Sequence, residues 1–444
     1  MSPWKKPVLV STRFWPTTNP LVDEPMSEFV DSSVAKGKLA RSISWLNHRR
    51  ELLIVLAVAL VARVGYWVLV TPRYVPESDA AQYQDLARYI LRGEGYSQLF
   101  PQLYPHPTAF RPPGYSYMLA GAIKVFGDNV VSGRILSLVF GLMTVALVYL
   151  LTRHLAPGRA AFFAALAVAL YPPLIVNDTM LLTESLSLAL IAGLMLALVC
   201  RRWPTAAVLC GLLILTRASA QYVVVPLALW VLWRLGWRRA LGFLAIALAV
   251  VSPWIIRNQI QLGSPVYVTS NGFNLAGTYS PASRQERRFV DPVFDDRFEQ
   301  FRLAQFNEAD WADQLQAFAF EDIRTHPGQV PGVVWRNALH LFEFTPQFNE
   351  WAENADGRNL DFRSATLWLF YPVTIIGLFG LFIRRRSPDV LLVIGVGAYF
   401  VLGSLALLSP PRLRSPFDLC CCIGVGLAAQ WWMVRRGTGR EAPA

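Results

Sequence analysis

Cysteine is scarce in this chain, which excludes a fold held together by disulfides. Five cysteines occur among 444 residues, at Cys200, Cys210 and Cys420–Cys422. All lie within or beside apolar runs and none lies in a large polar loop, so no disulfide is predicted outside the membrane. The consecutive cysteines would point in different directions on a helix, which favours packing over metal binding.

Three other features are also lacking. The net charge is +11, but the basic residues lie in an N-terminal tail and in short turns, so no soluble basic face for nucleic acid is visible. No repeat of about 20–50 residues is found. Inverted-repeat transporters have a pair of broken helices at matching positions in the two halves of the chain. No such pair is found, which weakens the hypothesis of a transporter.

The chain is instead rich in apolar residues. They make up 54% of it, with a mean hydropathy of +0.36 and fifteen tryptophans, a composition typical of an integral membrane protein. The apolar runs are Leu52–Val70, Val130–Leu151, Ala160–Leu170, Met180–Cys200, Ala206–Thr216, Tyr222–Trp233, Ala240–Ile256, Leu367–Ile383, Val390–Leu408 and Leu419–Val434. We predict an all-α polytopic membrane protein with about ten transmembrane helices.

The arginines of the short loops predict the orientation. Alternate turns carry thirteen arginines, and the opposite short turns carry only Arg217, Arg412 and Arg414. Because cytoplasmic loops are enriched in Lys and Arg, both termini are expected in the cytoplasm. We expect a plasma (inner) membrane protein whose active site faces outward, with Leu52–Val70 acting as signal anchor.

The predicted organisation follows from these runs. Residues 1–50 form a cytoplasmic tail, expected to be disordered. Residues 51–257 form a transmembrane module with a first outer loop at 71–129. Residues 258–366 form a second outer loop between spans seven and eight, an extracytoplasmic lid with helical patterns at Asn307–Asp322 and Gln329–Phe342. Residues 367–435 form the last spans, and 436–444 a cytoplasmic tail. In the first outer loop, Tyr83, Leu86, Ala87 and Ile90 have the spacing of an amphipathic in-plane helix, and Tyr115–Phe126 suits a second.

Two of the runs are too short to cross a membrane. Ala160–Leu170 ends at Tyr171-Pro172-Pro173, and Ala206–Thr216 ends at Arg217. Backbone turns inside the hydrocarbon are tolerated only around a polar cavity, so we predict an outward recess floored by Pro172-Pro173 and Arg217. We expect Asp79 to face Arg217 across the opening of this recess. The alternative is that flanking polar residues extend both helices to full length.

Acidic residues near the outer ends of spans are the candidates for catalysis. Asp79, with Glu77 two residues away, follows the first span and is the best general base, because desolvation beside apolar walls is expected to raise its basicity. Taken alone, such an Asp is more often a solvated cap. Asp178 and Glu184 are further acidic candidates, and Glu184 is expected about a turn inside the apolar zone of its span.

Outward arginines are the candidates for binding an anion. Arg111, Arg217 and Arg257 run against the positive-inside bias, and a lipid phosphate would give each a bidentate partner. Snorkelling to headgroups is the alternative. No metal ligand is predicted and no cofactor is required. A divalent cation at Asp79, Asp178 or Glu184 stays open, although no ligand spacing demands it.

Several motifs occur in order along the chain: Asp79…Tyr83…Ala87, Gly93-Glu94-Gly95-Tyr96, Arg111-Pro112-Pro113-Gly114-Tyr115, Leu182-Thr183-Glu184, Thr216-Arg217, Pro253-Trp254-Ile255-Ile256-Arg257-Asn258 and, more loosely, Pro411-Arg412-Leu413-Arg414-Ser415-Pro416. In these motifs the chain resembles polytopic GT-C glycosyltransferases, in particular the group of protein O-mannosyltransferases, aminoarabinose transferases and lipid A galacturonosyltransferases. The resemblance implies an inverting transfer of sugar from a polyprenyl phosphate, with Asp79 as base and Arg111, Arg217 and Arg257 at the phosphate.

These observations lead to one main hypothesis and two alternatives. We expect a glycosyltransferase that moves a hexosyl or pentosyl group from a polyprenyl-phosphate-linked donor to lipopolysaccharide, lipid A or another envelope glycan. The first alternative is protein O-glycosylation, in which the acceptor is a protein. The second is a flippase or transporter of lipid-linked sugars, which predicts polar residues on both sides of the midplane rather than in the outer half alone.

Overall fold

The computed structural model describes residues 47–100, 102, 104–294 and 306–438 of the chain. It divides into residues 1–50, of which 47–50 are described as helix, and residues 51–444. Most of the predicted N-terminal tail, residues 295–305 of the predicted lid and residues 439–444 lie outside the described residues.

Helices make up most of the described chain. In chain order they are α1 (Asn47–Val70), α2 (Ser78–Leu91), α3 (Pro113–Phe126), α4 (Val130–Leu155), α5 (Ala160–Leu170), α6 (Pro172–Asn177), α7 (Glu184–Val199), α8 (Trp203–Thr216), α9 (Val224–Leu235), α10 (Trp237–Leu262), α11 (Ser270–Thr278), α12 (Pro281–Glu286), α13 (Glu308–Thr325), α14 (Gln329–Leu341), α15 (Pro346–Ala355), α16 (Leu360–Thr366), α17 (Phe370–Ile383), α18 (Pro388–Ala406) and α19 (Ser415–Thr438). Two short strands, β1 (Ser97–Gln98) and β2 (His106–Pro107), pair antiparallel.

Among the described residues, seven segments are long and apolar enough to cross a membrane. They are Asn47–Val70, Val130–Leu155, Ala218–Leu235, Trp237–Leu262, Leu360–Ile383, Pro388–Ala406 and Pro411–Arg436. Three shorter apolar helices are Ala160–Leu170, Glu184–Val199 and Trp203–Thr216. The all-α, multi-pass membrane architecture is thereby confirmed, and the total of ten spans stays a prediction.

The first outer loop contains the two helices that its spacing predicts. Helix α2 buries Tyr83, Leu86 and Ala87, and ends before Gly93 and Gly95, which adopt φ of 78° and 74°. Residues that carry a Cβ rarely adopt such positive φ values, so these two glycines permit the turn that leads into β1. Helix α3 begins with proline at its first position, which needs no backbone donor there.

A close backbone approach connects this loop to the end of α8. A Cβ on Gly114 would lie 2.8 Å from both the carbonyl oxygen of Leu215 and Oγ1 of Thr216. Only glycine therefore lets the start of α3 lie against the residues that precede Arg217. This contact brings the Arg-Pro-Pro-Gly turn of the first outer loop to the end of a short helix.

Glycines also let the C-terminal helices α17 and α19 pack closely. A Cβ on Gly380 would lie 1.8 Å from the carbonyl oxygen of Gly424, and one on Gly377 would lie 2.4 Å from that of Cys421. Small residues let α17 and α19 approach closely, which is how helices associate where lipid removes the hydrophobic driving force. The turn between α18 and α19, Pro411–Arg414, is held at the end of this pair.

A buried carboxylate, Glu308, is central to the contact between the second outer loop and the first. Glu308, at the start of α13, accepts hydrogen bonds from Oγ1 of Thr108 (2.7 Å), the backbone of Ala109 (2.9 Å) and Oγ1 of Thr269 (2.6 Å), and contacts Nε2 of His106 at 2.9 Å. A buried carboxylate with this many donors fixes its surroundings firmly. The helical patterns predicted at Asn307–Asp322 and Gln329–Phe342 are confirmed as α13 and α14.

Candidate active site

Asp79 lies in the first turn of α2 between two arginines. Arg111 donates to its Oδ1 through Nη2, and Nη2 of Arg412 lies 2.5 Å from its Oδ2. The Asp79 side chain is 17% exposed, so the pair of contacts is partly shielded from solvent. Each carboxylate oxygen thus has its own guanidinium partner, an arrangement that holds Asp79 as an anion.

The electrostatics of Asp79 differ from the expectation. Burial by itself raises the pKa of its carboxyl, but the Arg111 and Arg412 guanidiniums outweigh burial and lower the pKa to about 2. The expectation that apolar walls raise its basicity is therefore wrong for this state of the site. The physical reason is that opposite charges within hydrogen-bond distance favour the ionised form more than desolvation disfavours it.

Arg111 is oriented by its own loop and by α2. Its Nε donates to Oε1 of Gln82 at 3.0 Å, and its guanidinium carbon lies 5.7 Å from the Tyr83 ring centre and 5.1 Å from that of Phe110. Planar stacking with aromatic rings suits a guanidinium and restricts its rotamers. The Arg-Pro-Pro-Gly turn therefore presents Arg111 to Asp79 in a fixed orientation.

Arg412 is the centre of the cluster and was not among the predicted site residues. Besides Asp79, its Nε lies 2.9 Å from Oδ2 of Asp356, and its Nη1 lies 4.0 Å from Oε1 of Glu184. It comes from the turn Pro411–Arg414. A signal for it existed in the sequence, because Arg412 is one of the few arginines in the short turns that are predicted to face outward, where the positive-inside bias does not account for it.

Glu184 connects this group to Arg217. Oε1 of Glu184 lies 3.8 Å from Nη1 of Arg217, whose Nε donates to Ser219 at 3.0 Å and whose Nη2 donates to the carbonyl of Leu413 at 3.2 Å. Arg217 is only 4% exposed and follows directly after α8. Asp79, Arg412, Glu184 and Arg217 thus form one continuous chain of charges.

Glu184 lies at the start of α7 rather than a turn inside it. Residues Met180–Thr183 lie between α6 and α7, outside both helices, and hydroxyls of α4 and α7 bond to carbonyls in and just before this segment. Ser137 donates to the carbonyl of Met180 at 2.6 Å, and Ser185 donates to that of Asn177 at 2.9 Å. Because these carbonyls have partners outside a helix, the helix can begin later than hydrophobicity predicts.

A cavity of about 680 Å³ contains this chain of charges in its wall. Its lining includes Asp79, Arg111, Glu184, Arg217, Asp356 and Arg412. Cavities of a few hundred Å³ are typical of small-molecule and cofactor sites. The prediction that Asp79 and Arg217 share one cavity is therefore confirmed.

Pro172-Pro173 does not form the floor of this cavity. Both prolines line a separate cavity of about 50 Å³, together with Glu353, Arg358 and Arg412. The chain continues after α5 into α6, so the prolines start a new short helix and face this smaller space. Arg412 is in the walls of both cavities.

Three other predicted residues lie outside the described lining of the large cavity. Asp178 is buried against Arg63 of α1, whose Nε donates to its Oδ2 at 2.8 Å. Glu77 is exposed at the N-terminal cap of α2. Arg257 donates to the carbonyls of Thr108 (2.6 Å) and Tyr96 (2.7 Å), so its guanidinium holds the β1–β2 hairpin in place.

The carboxylates of the cavity do not fit a divalent metal as they stand. Asp79, Asp356 and Glu184 converge, but the Arg412 guanidinium lies between them and supplies the positive charge. Within the part of the chain that the structure describes, no group of three or more His, Cys, Asp or Glu side chains has the arrangement of a metal site. A metal at this place would have to displace Arg412.

Part of the chain is similar in sequence to a known protein family. Residues 110–256 match the family model described as dolichyl-phosphate-mannose-protein mannosyltransferase. This segment includes Arg111, Glu184 and Arg217 and leaves out Asp79 and Arg412. A comparison with curated protein sequences finds no match.

Solved structures share the fold. The oligosaccharyltransferase AglB of Archaeoglobus fulgidus, in complex with an inhibitory peptide and a dolichol-phosphate, aligns with a TM-score of 0.53 and 14% identity over 89% of this chain and 52% of its own. The oligosaccharyltransferase of the same organism in complex with Zn and sulfate aligns with a TM-score of 0.51 and 13% identity over 87% and 49%. This chain has the GT-C membrane fold. It spans about half the length of these oligosaccharyltransferases.

A further solved structure is similar over a larger share of its length. ArnT of Cupriavidus metallidurans, bound to undecaprenyl phosphate, aligns with 16% identity over 87% of this chain and 78% of its own, with a TM-score of 0.41.

Proposed function

We propose that this chain is a membrane glycosyltransferase that transfers a sugar from a polyprenyl-phosphate-linked donor to a cell-envelope acceptor. The observation that carries this proposal is the shared cavity wall: a carboxylate, Asp79, and three arginines, Arg111, Arg217 and Arg412, line one space of about 680 Å³. A phosphosugar and an acceptor hydroxyl need these charges at one place. The AglB complex with a dolichol-phosphate, which has the same fold, supports a lipid phosphate as the donor's carrier.

In the proposed reaction an acceptor oxygen attacks the anomeric carbon of the donor sugar. The bond from that carbon to the phosphate oxygen breaks, its electron pair leaves with the polyprenyl phosphate, and the configuration inverts. The acceptor proton passes to a carboxylate, for which Asp79 is the first candidate. The arginines stabilise the negative charge that develops on the departing phosphate.

The arginine contacts of Asp79 make donor binding part of this proposal. A carboxyl whose pKa is about 2 is a weak base. A donor phosphate competes with Asp79 for the guanidiniums of Arg111 and Arg412, since all three meet in the cavity wall. When an arginine turns to the phosphate, the pKa of Asp79 rises and the carboxylate becomes a better proton acceptor.

Asp356 is the second candidate for the proton acceptor. Burial raises the pKa of its carboxyl, and although Arg412 and Arg358 lower it, the pKa remains raised to about 7. It lies 2.9 Å from Nε of Arg412 and lines the same cavity as Asp79. A base whose pKa lies near the working pH is effective, so Asp356 is the natural alternative to Asp79.

The acceptor is proposed to be lipopolysaccharide, lipid A or another envelope glycan, reached from the outer face of the plasma membrane, with both termini in the cytoplasm. Protein O-glycosylation is the second candidate, favoured by the family model over residues 110–256. A flippase of lipid-linked sugars is the non-enzymatic alternative. It requires no carboxylate at the sugar, and it would leave the donor's sugar–phosphate bond intact.

Mass spectrometry of lipopolysaccharide and glycoproteins from cells with and without the gene tests the function. We expect a sugar residue on an envelope glycan that disappears in the deletion strain and returns with wild-type protein. A sugar lost from proteins instead would establish the second candidate. An unchanged envelope and proteome, with the lipid-linked sugar redistributed between leaflets, would establish the transporter and contradict both enzymatic assignments.

A further inference from the structure

We propose that α14 forms an anion-binding subsite in the large cavity, in which Arg336 binds a phosphate or carboxylate group of the acceptor. This inference rests on the proposed glycosyltransferase function and adds a chemical class to its acceptor. Arg336 and its neighbours Asn337 and His340 all line the cavity. They come from the second outer loop, whereas Asp79 and Arg111 come from the first.

The charges of the cavity wall single out Arg336. The arginines that line the cavity are Arg111, Arg217, Arg288, Arg336 and Arg412. Four of them contact a carboxylate of this chain: Asp79 for Arg111, Glu184 for Arg217, Glu286 for Arg288, and Asp79 and Asp356 for Arg412. Arg336 has no hydrogen bond or ion pair with any residue that the structure describes.

The environment of Arg336 makes an unpaired charge costly. Its side chain is partly buried, and desolvation by burial lowers the pKa of its guanidinium. An arginine still remains protonated at any physiological pH, so the charge cannot be removed by losing a proton. A half-buried cation that faces a cavity without a protein anion is therefore best satisfied by an anion on a ligand.

The surrounding residues hold this wall in place. Asn337 donates to the carbonyl of Leu405 at 3.0 Å and accepts from Ser409 at 3.2 Å, and the ring of His340 stacks on Phe348 with centres 3.7 Å apart. Burial, together with the Arg336 charge, lowers the pKa of His340 to about 4. His340 is thus neutral at physiological pH, and Arg336 is the cation at this part of the wall.

The donor phosphate is a second source of the same chemistry, and the position of Arg336 favours the acceptor. The donor phosphate is proposed to lie at the continuous chain of Asp79, Arg412, Glu184 and Arg217, to which Arg336 has no contact. A cavity of about 680 Å³ has room for a sugar phosphate and for part of an acceptor. The donor phosphate at one cationic part of the wall leaves Arg336, at the other part, for the acceptor.

Binding measurements on the purified full chain in detergent test the subsite without requiring turnover. Undecaprenyl phosphate is first added to saturation, and the affinity for glucose 6-phosphate and for uncharged glucose is then measured by calorimetry. We expect wild type to bind glucose 6-phosphate, and Arg336→Gln to bind it at least about tenfold more weakly. Arg336→Lys should retain part of the affinity, and Arg324→Gln, which removes an exposed arginine outside the cavity, should change it less than about twofold.

Three results of the binding experiment would contradict the proposed subsite. If undecaprenyl phosphate prevents glucose 6-phosphate from binding to wild type, the two anions share one site and Arg336 belongs to the donor. The same conclusion follows if Arg336→Gln weakens undecaprenyl phosphate as strongly. Equal binding of glucose and glucose 6-phosphate would mean that no anion subsite exists. Melting temperatures confirm that the variants are folded, and failure of the glycosyltransferase function itself would appear instead as unchanged envelope glycans.

Discussion

Arg412 reaches Asp79 from a position 333 residues further along the chain, with Nη2 2.5 Å from Oδ2. The contact joins the first outer loop to the turn before the last helix, and it extends to Asp356 at 2.9 Å. One guanidinium thus neutralises carboxylates from separate parts of the sequence. Removing the cation or one anion is therefore expected to disturb the others.

Replacing Asp79 with asparagine should abolish sugar transfer while the protein remains folded and inserted. Asparagine keeps the shape of the side chain but cannot accept the acceptor proton, and loss of a general base typically costs about 10²–10⁴ in rate. Release of polyprenyl phosphate from a labelled donor measures the rate. Asp85→Asn is the matched control, because Asp85 is an exposed carboxylate on the same helix whose partner is Arg88. Near wild-type turnover in Asp79→Asn, combined with loss of turnover in Asp356→Asn, would move the base to Asp356.

Replacing Arg412 with glutamine should reduce transfer through kcat more than through KM. The change removes a guanidinium that stabilises the negative charge on the departing phosphate in the transition state. It also raises the pKa of Asp79, but we expect the lost stabilisation to outweigh the gain in basicity. Arg412→Lys keeps the positive charge. Lysine has a single charged nitrogen, however, whereas Arg412 contacts Asp79 and Asp356 through different nitrogens, so the variant should recover only part of the rate. Steady-state kinetics on both variants and on Arg324→Gln provide the comparison. An equal KM and kcat in wild type and Arg412→Gln would show that the arginine is not needed for the reaction.

The sequence predicted the helices of the outer loops well because their signal is local. The spacing of Tyr83, Leu86 and Ala87 specifies one buried face of α2, whichever residues it packs against. Asp79 and Arg217 were also placed in one cavity correctly, since both follow from where apolar runs end.

Other parts of the site depend on contacts that no local pattern encodes. Arg257 and Arg217 have the same sequence signal, an arginine at the outer end of a span, but Arg257 donates to backbone carbonyls while Arg217 faces the cavity. Asp356 follows a helix of the second outer loop, and nothing near it in sequence indicates Arg412 as its partner. The helix start at Glu184 depends likewise on a hydroxyl from another helix, Ser137.

Replacing Gly114 with alanine should destabilise the protein and weaken the Asp79–Arg111 contact. The new Cβ would lie 2.8 Å from the carbonyl oxygen of Leu215, so either α3 or the end of α8 must shift, typically at a cost of about 1–3 kcal/mol. Gly121→Ala on the same helix is the control, because a Cβ there meets nothing within 4 Å and a helical alanine is favoured over glycine. The melting temperature should fall for Gly114→Ala and stay or rise for Gly121→Ala. Similar melting temperatures for both variants would contradict the close approach.

The stability of the protein should depend on pH through Asp356 more than through Asp79 between pH 5 and 8. Asp356 has a pKa raised from 3.8 to about 7, so the folded state binds its proton more tightly, and the stability this gives is lost as pH rises from about 4 through 7. Asp79 has a lowered pKa of about 2, so its contribution is present above about pH 4 and is lost only as pH falls toward 2. The melting temperature of Asp356→Asn minus that of wild type should therefore increase from pH 5 to 8. The same difference for Asp79→Asn should stay constant over this range, and parallel curves for all three proteins would contradict the assignment.

Replacing Arg217 with alanine should weaken the binding of undecaprenyl phosphate more than the binding of an acceptor. Arg217 is 4% exposed and its best anionic contact, Glu184, is 3.8 Å away, so a donor phosphate would be its closest ion pair. Removing a cation from such a desolvated pair typically costs about 2–5 kcal/mol. Arg257→Ala is the matched comparison, since Arg257 also ends an apolar run but donates to the carbonyls of Tyr96 and Thr108. We expect Arg257→Ala to lower the melting temperature and to change undecaprenyl phosphate affinity, measured on the folded fraction, far less than Arg217→Ala does. If the two variants lose lipid-phosphate affinity equally, or if Arg217→Ala loses none, Arg217 is a structural residue and the donor phosphate lies elsewhere in the cavity.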